Sequence, residues 1–566
     1  MRRISHPKLT VFAAVAWIGF AAHPAAASTL CVGNGSGCYA TIQAALRAAH
    51  DGDSIEIGRG TFPGGVHITK SVRLIGSGAS RTTIRGGRSV ITIGRFGAAS
   101  EPTVAISGVT ITGGVTHSSP ESVAFTGKPN VFAAGGGIEI PPNADFSGGA
   151  TVTITDSVIS GNRVEPLATA RIGPQCPDGA CPFAGAFGGG IDSWGTLTLV
   201  HSVVEHNIAH GVASDADGGG IVSQLAGLTL LHTVVRENQA VATPPNGRFA
   251  EGGGLYVNGG ALRLENVTVS GNSARMTTSY PAFAGTELID MNANSGGVHV
   301  SDNVPTVVDR TVISRNTVVA IGRKAEPNSF DAGMLVGDSP LVMRDSVISR
   351  NRVTDVSLTQ VDIGPQGSAF DTDGGTASIS HVRVLDNTAV LLSKHGVALA
   401  AGGFSVLGSS NHAFRRVTLS DSVVQGNVAI ARSGSGVAVA RGGGVFSNGL
   451  LTLRRVSVVG NRAIAAAPSA AEQGGGIWSG PLLTGPPVQL TLLDSTVARN
   501  VLPPGTGIAR RGGGLFTIAP HTIRRTTFSG NVPGACFGCA ASAAAVPASP
   551  LRVRGTRSRS LTGWPR

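Results

Sequence analysis

Residues 152–162 read VTITDSVISGN, and variants of this string return along the chain as LTLVHSVVEHN at 197–207, LRLENVTVSGN at 262–272 and LTLRRVSVVGN at 451–461. The closing Asn162 has counterparts at Asn207, Asn238, Asn272, Asn316, Asn351, Asn387, Asn427, Asn461, Asn500 and Asn531, at intervals of 31 to 45 residues. That is a solenoid-scale period with variable repeat length. Three places before each asparagine the residue is always apolar (Ile159, Val204 and Val235, through to Phe528), and so it is eight places before (Ile154, Leu199 and Leu230, through to Ile523). Apolar residues at minus ten and minus eight alternate with polar or small ones, the period of two expected of a strand with one buried face. The minus-six column holds only Asp, His, Arg and Asn, which marks the outward side or the bend after that strand.

Upstream of each such string a Gly-rich run opens a third strand, at Gly188, Gly218, Gly252, Gly442, Gly474 and Gly512. Glycine there permits torsions closed to other residues and close rung-to-rung approach. Three strands per turn, each parallel to its counterpart one turn on, predict an all-β right-handed parallel β-helix solenoid. Some 14 to 16 rungs would make it about 70 Å long at the usual strand spacing. The recurrent asparagine has a structural reading. It tolerates left-handed torsions at a sharp turn, and stacked amides bond to one another in a ladder. SIEIG, VHIT, SVRLIG and TTIRG, between 54 and 86, read as the first rungs. Thr41 to His50 reads as a short capping helix with Ile42, Ala45, Leu46 and Ala49 on one face.

Composition agrees. Glycine accounts for 81 of 566 residues, with 14% charged and 5% aromatic. This is too apolar for a disordered chain and too rich in glycine for a helical one. Residues 1–27 read as a signal peptide: Arg2, Arg3 and Lys8, then an apolar stretch from Leu9 to Ala22, then Ala25-Ala26-Ala27. The expected organisation is 1–27 signal peptide, 28–535 β-helix and 536–566 a disordered basic tail, with no membrane span in the mature chain. Loss of Arg2, Arg3 and Lys8 lowers the net charge from +11 to +8. Such a chain attracts acidic glycans or an anionic surface. Because only five basic residues are Lys, a compositional bias towards Arg explains the charge equally well. The cysteines fall in close pairs, Cys31/Cys38, Cys176/Cys181 and Cys536/Cys539, which predicts local disulfides in an oxidising compartment.

TIQAALRAAHDGDSIEIGRGTF followed by KSVRLIGSG resembles the opening of secreted pectate-lyase-like β-helix proteins. The GGGI and ISGN repeats are similar to those of bacterial extracellular β-helix proteins and of chlamydial polymorphic membrane proteins, whose FxxN motif matches Phe528 to Asn531. The resemblance covers roughly residues 38 to 531 and implies fold more than function, since β-helices host lyases, hydrolases, esterases and adhesins. Only 35 residues follow Asn531, too few for the outer-membrane barrel of the polymorphic proteins.

Repeat length varies between each asparagine and the next Gly-rich strand (163–187, 273–295, 352–373 and 501–511) and just after that strand (138–151, 404–416 and 477–489). These insertions are expected to be loops that line one or two ridges, where solenoids carry function. Asp215/Asp217 and Asp371/Asp373, each just before a Gly-rich strand, are candidate calcium ligands; the alternative is that Asp, like Gly, is favoured in turns. His201, His232 and His381 share the minus-six column and read as an exposed polar column, with a two-His metal site as the sharper reading. No other cofactor is expected. The NTD, DD, GHG and RIK set of polygalacturonase-type enzymes is not present in order. The expectation is therefore a secreted, extracellular or cell-surface, adhesin-like protein that binds an acidic polysaccharide or a cell surface through its loop ridge. It is non-catalytic and has no specific nucleic-acid partner. The alternative is a polysaccharide lyase or glycoside hydrolase. An acid-lined groove would favour the enzyme, and a flat basic ridge the binder.

Overall fold

The computed structural model describes residues 27–119, 132–167, 185–212, 214–243, 249–278, 291–322, 327–358, 365–408, 416–481, 488–504 and 508–539. Residues 1–26 of the expected signal peptide, Cys176 with Cys181, and 540–566 of the expected tail lie outside the described residues. Three long sheets of 15, 14 and 14 strands form the coil, and every pairing within them joins equivalent strands of successive rungs in parallel. This is a parallel β-helix, and the right-handed sense is the one that twisted parallel strands impose on crossovers. Ile, Leu and Val at minus ten, minus eight and minus three fill one continuous interior from Val32 to Leu515.

The expectation of three strands per rung holds only for the first rungs, such as Ser54–Ile57, Gly60–Pro63 and Val66–Ile68. From Val115 onward most rungs have five. In one of them Leu197–Val200 and Val203–Glu205 lie in the first two coil sheets. Ile208–Gly211 then leaves the coil, Asp215–Asp217 returns, and Ile221–Gln224 closes the turn in the third coil sheet. The outgoing strands stack into a 10-stranded sheet and the returning ones into sheets of six and five. The segments expected to be loops after each asparagine are thus largely paired strands. They form an arm with its own core, mostly alanine: Ala209, Ala240, Ala274, Ala389, Ala429 and Ala463 on the outgoing side face Ala186, Ala216, Ala250, Ala398, Ala438 and Ala470. Small side chains at every second position let two sheets lie close while their outer faces stay free.

The asparagines and the Gly-rich runs meet where the arm joins the coil. Each asparagine amide bonds to the next: Asn207 Nδ2 donates to Asn238 Oδ1 at 3.0 Å, and the Asn207 backbone N–H donates to the same oxygen at 3.0 Å. Its Nδ2 also donates to Ile159 O at 3.0 Å. The series runs unbroken from Asn162 to Asn531. The residue in the left-handed region is the one before the asparagine (His206, φ 55; Glu237, φ 55; Arg315, φ 56), not the asparagine itself. The minus-six column is likewise a left-handed bend throughout, from Asp156 (φ 48) to Arg525 (φ 46). The third glycine of each run lies under the amide ladder, where a Cβ on Gly190 would stand 2.6 Å from Gly220 O and 2.9 Å from Asn207 Nδ2. A side chain there would push the arm off the coil.

The N-terminal end is covered by the helix Ile42–Ala48, which buries Ile42, Ala45 and Leu46 and is capped by Thr41 Oγ1 accepting from Ala44 N–H at 3.2 Å. Lys70 Nζ donates to the carbonyls of Leu46 and Arg47 at the far end of that helix, at 3.1 and 3.0 Å. Cys31 is bonded to Cys38 and Cys536 to Cys539. Cys536–Phe537 pairs with Leu515–Thr517, so the last rung extends beyond residue 535, the expected end of the coil. Among the described residues no helix is long and apolar enough to cross a membrane.

Candidate functional site in the corner between arm and coil

A sharp left-handed turn joins nearly every returning arm strand to the third coil sheet, for example at Gly218 (φ 59) and Gly252 (φ 57). The outward residues of the two sheets converge on the concave side of that turn and form a corner along the axis. The coil side of the corner is one register column: Glu139, Asp192, Val222, Tyr256, His299, Leu335, Asp371, Ser405, Phe446, Trp478, Phe516 and Phe537. The arm side brings Phe187, Asp217, Glu251 and Asn294 in register, and further on Ala401, Arg441, Gln473 and Arg511. Strand alternation places every one of these away from both cores.

Acids dominate the first half of the corner. Glu139 accepts from Ser89 Oγ at 3.1 Å and Thr92 Oγ1 at 3.4 Å. Burial raises its carboxyl and holds that of its register neighbour Asp192 well above the usual range, with the Glu139 charge adding to the effect on Asp192. Asp217 is also pushed well up, first by burial and then by the charges of Glu251 and Asp215. Glu251 is held by Asn294 Nδ2, which donates to its Oε1 at 2.7 Å, and its Oε2 lies 4.0 Å from His299 Nε2. The His299 ring stacks on Tyr256 with centroids 5.1 Å apart. Asp217 Oδ1, Asn294 Oδ1 and His299 Nδ1 are buried with no protein partner. Further along, Asp331 occupies the left-handed turn position (φ 46) where most other rungs have glycine, and Ser368 Oγ bonds to it. Asp331 and Asp371 share a hydrogen bond, which needs a proton on one of them. Burial raises both well above the usual range, and the Asp373 charge raises them further.

The second half of the corner is apolar and closed. Phe446 stacks on Trp478 at 4.6 Å and Phe516 on Phe537 at 5.0 Å, each pair within 7° of parallel. The Arg441 guanidinium lies 4.8 Å above the Trp478 ring and Arg511 4.9 Å above Phe537. Gln473 Oε1 accepts from both Trp478 Nε1, at 3.1 Å, and Arg441 Nε, at 3.0 Å. Burial lowers the Arg441 guanidinium to about 10.

The four aspartates read from the sequence all lie at this corner, on strands rather than in turns. Asp215 and Asp217 flank Ala216 on a returning arm strand; Asp371 and Asp373 flank Thr372 in the third coil sheet. The two pairs are four rungs apart and do not converge. Asp217 instead gains Glu251, and Asp371 gains Asp331. Among the described residues no group of three or more His, Cys, Asp or Glu side chains is placed to hold a metal ion. His201 and His232 stack face to face at 5.0 Å on the exposed bend column, away from the corner. Glu139, Asp192, Glu251, Tyr256, His299 and Asp331 escaped the sequence reading. Two columns could have shown all of them but Asp331: the residue just before each Gly-rich run, and the second residue after it.

Fold and corner together define a parallel β-helix with a side arm and an acid-lined concave flank. No protein-family model and no curated protein matches the chain. Among solved structures it is similar to tailspike protein 3 of bacteriophage CBA120, at 10% identity and a TM-score of 0.25. The likeness covers 90% of this chain and 60% of the tailspike chain.

Proposed function

We propose that this is an extracellular glycoside hydrolase that takes a linear polysaccharide along the corner, with Asp217 as proton donor and Glu251 as its partner. The observation that carries this reading is the Asp217–Glu251 register pair. One carboxyl is pushed well above the usual carboxylate range by burial and by neighbouring acids, and the other is positioned by Asn294. Pairs of carboxyls in unlike environments are the working parts of glycoside hydrolysis. The charges that act on Asp217 are those of other acids, which suits a proton donor and not the basic proton abstractor of a lyase. The stacked Tyr256 and His299 offer a flat platform for a sugar ring. The disulfides Cys31–Cys38 and Cys536–Cys539 fit an extracellular site of action.

A second reading, a non-catalytic binder of an acidic polysaccharide or cell surface, is favoured by the net charge of +11. Calcium at the aspartates belongs to the same test. The full chain is incubated with neutral and charged polysaccharides, with and without calcium, and new reducing or unsaturated ends are followed. The hydrolase reading expects new reducing ends, and a loss of about 10²–10⁴-fold in Asp217→Asn and Glu251→Gln. New ends formed at undiminished rate by both variants would overturn the assignment of the site. Retention without cleavage would leave the binder, and unsaturated ends that need calcium would replace hydrolysis by elimination.

A further inference from the structure

The charge of the chain is not spread evenly along it. Residues 101–386 carry 15 Lys and Arg against 27 Asp and Glu, whereas residues 387–539 carry 13 against three. Each of those three acids has an arginine partner: Asp421 has Arg455, Glu472 has Arg510 and Asp494 has Arg525. The largest excess of positive charge in the β-helix therefore lies in its last rungs, next to a stretch that is net acidic. A charge asymmetry of this size points to a partner of the opposite sign.

Part of the excess is laid out in register on the outer face of the first coil sheet. Arg454 and Arg524 share one column with Leu493 between them, so they stand two rungs apart, about 10 Å at strand spacing. Both are exposed. Arg454 feels the charges of Asp421 and Asp494 from a distance, while those acids bond to other arginines. In the next column, the left-handed bend, Arg455 and Arg525 alternate with Asp421 and Asp494, and His381 stands one rung before them. Arg416 is exposed at the start of the same sheet. On the other side of Arg454 and Arg524, and on the same face by strand alternation, runs a row of hydroxyls with one per rung: Thr418, Thr452, Thr491 and Thr522. Five arginines thus face two acids along four consecutive rungs. Earlier on the same face the charges cancel, since Arg263 and Arg310 both pair with Glu265, and Arg310 pairs with Asp309 as well.

We propose that this strip binds an acidic polysaccharide, a linear polymer of sugar carboxylates, at a surface separate from the corner. The inference goes beyond the hydrolase reading and does not rest on it, because the strip lies on the first coil sheet and the corner on the third. It also places at one end of the coil a property that the net charge of +11 gives only for the chain as a whole. A guanidinium is a planar fork that takes a carboxylate through two parallel hydrogen bonds. Threonine hydroxyls donate to and accept from the hydroxyls of a sugar ring. A polymer lying along the axis would meet a hydroxyl at every rung and an arginine from the Arg454 column at every second one. A lipid surface fits less well, since such binding buries apolar side chains beside the charges, and the strip has no exposed large apolar residue.

The test uses the full chain with three ligands: a polyuronate oligomer, a neutral oligosaccharide of equal length, and vesicles of phosphatidylglycerol with phosphatidylcholine. Calorimetry at low and high salt reads the affinities. The expected result is polyuronate binding that weakens at high salt, with the other two ligands at least about tenfold weaker. Arg454→Gln combined with Arg524→Gln should lower polyuronate affinity at least about tenfold. Both side chains are exposed, so the denaturant midpoint should not move. Arg263→Gln, on the same face among the acids, should leave binding unchanged. Asp421→Asn should tighten it about two- to threefold, because a repelling charge goes and Arg455 is released; a damaged fold does not tighten binding. Equal affinity of the double variant and the wild type, or equal binding of the neutral oligosaccharide, would overturn the inference. A loss in Arg263→Gln as large as in the double variant would reduce the effect to net charge and remove the site. Vesicles bound more tightly than the polyuronate, and lost in the double variant, would assign the strip to a lipid surface and overturn the inference as well.

Discussion

The two halves of the corner are built on one backbone plan. The same turn, the same pair of sheets and the same register column carry Glu139, Asp192, Tyr256, His299 and Asp371 in one half and Phe446, Trp478, Phe516 and Phe537 in the other. In the aromatic half the outward side chains satisfy each other. Rings stack, guanidinium groups lie over them, and Gln473 accepts from the indole of Trp478 and from Arg441. In the acid half they do not, since carboxyls face carboxyls and buried acceptors lack donors. One half behaves as a small hydrophobic core of its own that fixes the arm to the coil, while in the other a smaller apolar cluster, Phe132, Phe187 and Val222, stands among the acids. The other retains groups that weaken the fold and suit a ligand, as functional sites commonly do.

Truncation should separate the halves most clearly. Trp478→Ala removes a side chain 1% exposed, with a stacked neighbour and a cation above it, and should cost about 3–5 kcal/mol. The denaturant midpoint reads this, and a loss under about 1 kcal/mol would mean that the aromatic half is not a core at all. The amide ladder runs through both halves and should not distinguish them. Asn272→Ala and Asn427→Ala each delete four hydrogen bonds of 2.9–3.0 Å and orphan a backbone N–H of the preceding rung, for about 2–4 kcal/mol apiece. Clearly unequal costs would show that the rungs are not equivalent at the neck of the arm.

Changes to the acids should act in the opposite direction. Burial and like charge hold Asp217, Asp331 and Asp371 above their ordinary value, so the native state keeps protons that the unfolded chain releases. Their contribution is fully present below the ordinary aspartate value and is lost as pH rises through the folded values. Melting temperature should therefore fall as pH rises from the ordinary aspartate range through the raised folded values, and Asp371→Asn should flatten that slope. A slope unchanged in both Asp217→Asn and Asp371→Asn would place the titrating groups elsewhere. The smallest effect belongs to the surface ladder, where Asp421→Asn breaks an exposed pair with Arg455 and should leave the midpoint within measurement error at physiological salt.

The repeat made the coil legible from particular residues. Ile159, Val204 and Val235 face inward because a strand with one buried face must alternate, and an apolar column kept through every repeat has one packing solution. The arm was not legible, although its signal was present as alanine two places after most asparagines (Ala209, Ala240, Ala274, Ala389, Ala429 and Ala463). Alanine is too weakly apolar to mark a core by itself, and tips of variable length break the period just where the second core begins. Asp215 and Asp371 were found, but as turn residues beside glycine. Glu251 and Asp331 were not, because the column that holds Glu251 has no constant residue type and Asp331 stands where most rungs have glycine.

The sequence by itself determined what depends on near neighbours and on repetition: strand period, rung count, the helix over the N-terminal end, the asparagine stack and the close cysteine pairs. These follow from alternation and from each residue meeting its own counterpart one rung away. Only the tertiary structure decided that the chain leaves the coil after each asparagine, and so that Asp217 and Glu251 face Tyr256 and His299 across a corner. That meeting depends on two sheets folding towards each other at the left-handed turn that ends each returning strand. The angle is set by the neck glycines and the thin alanine core together, and no column of the repeat contains it.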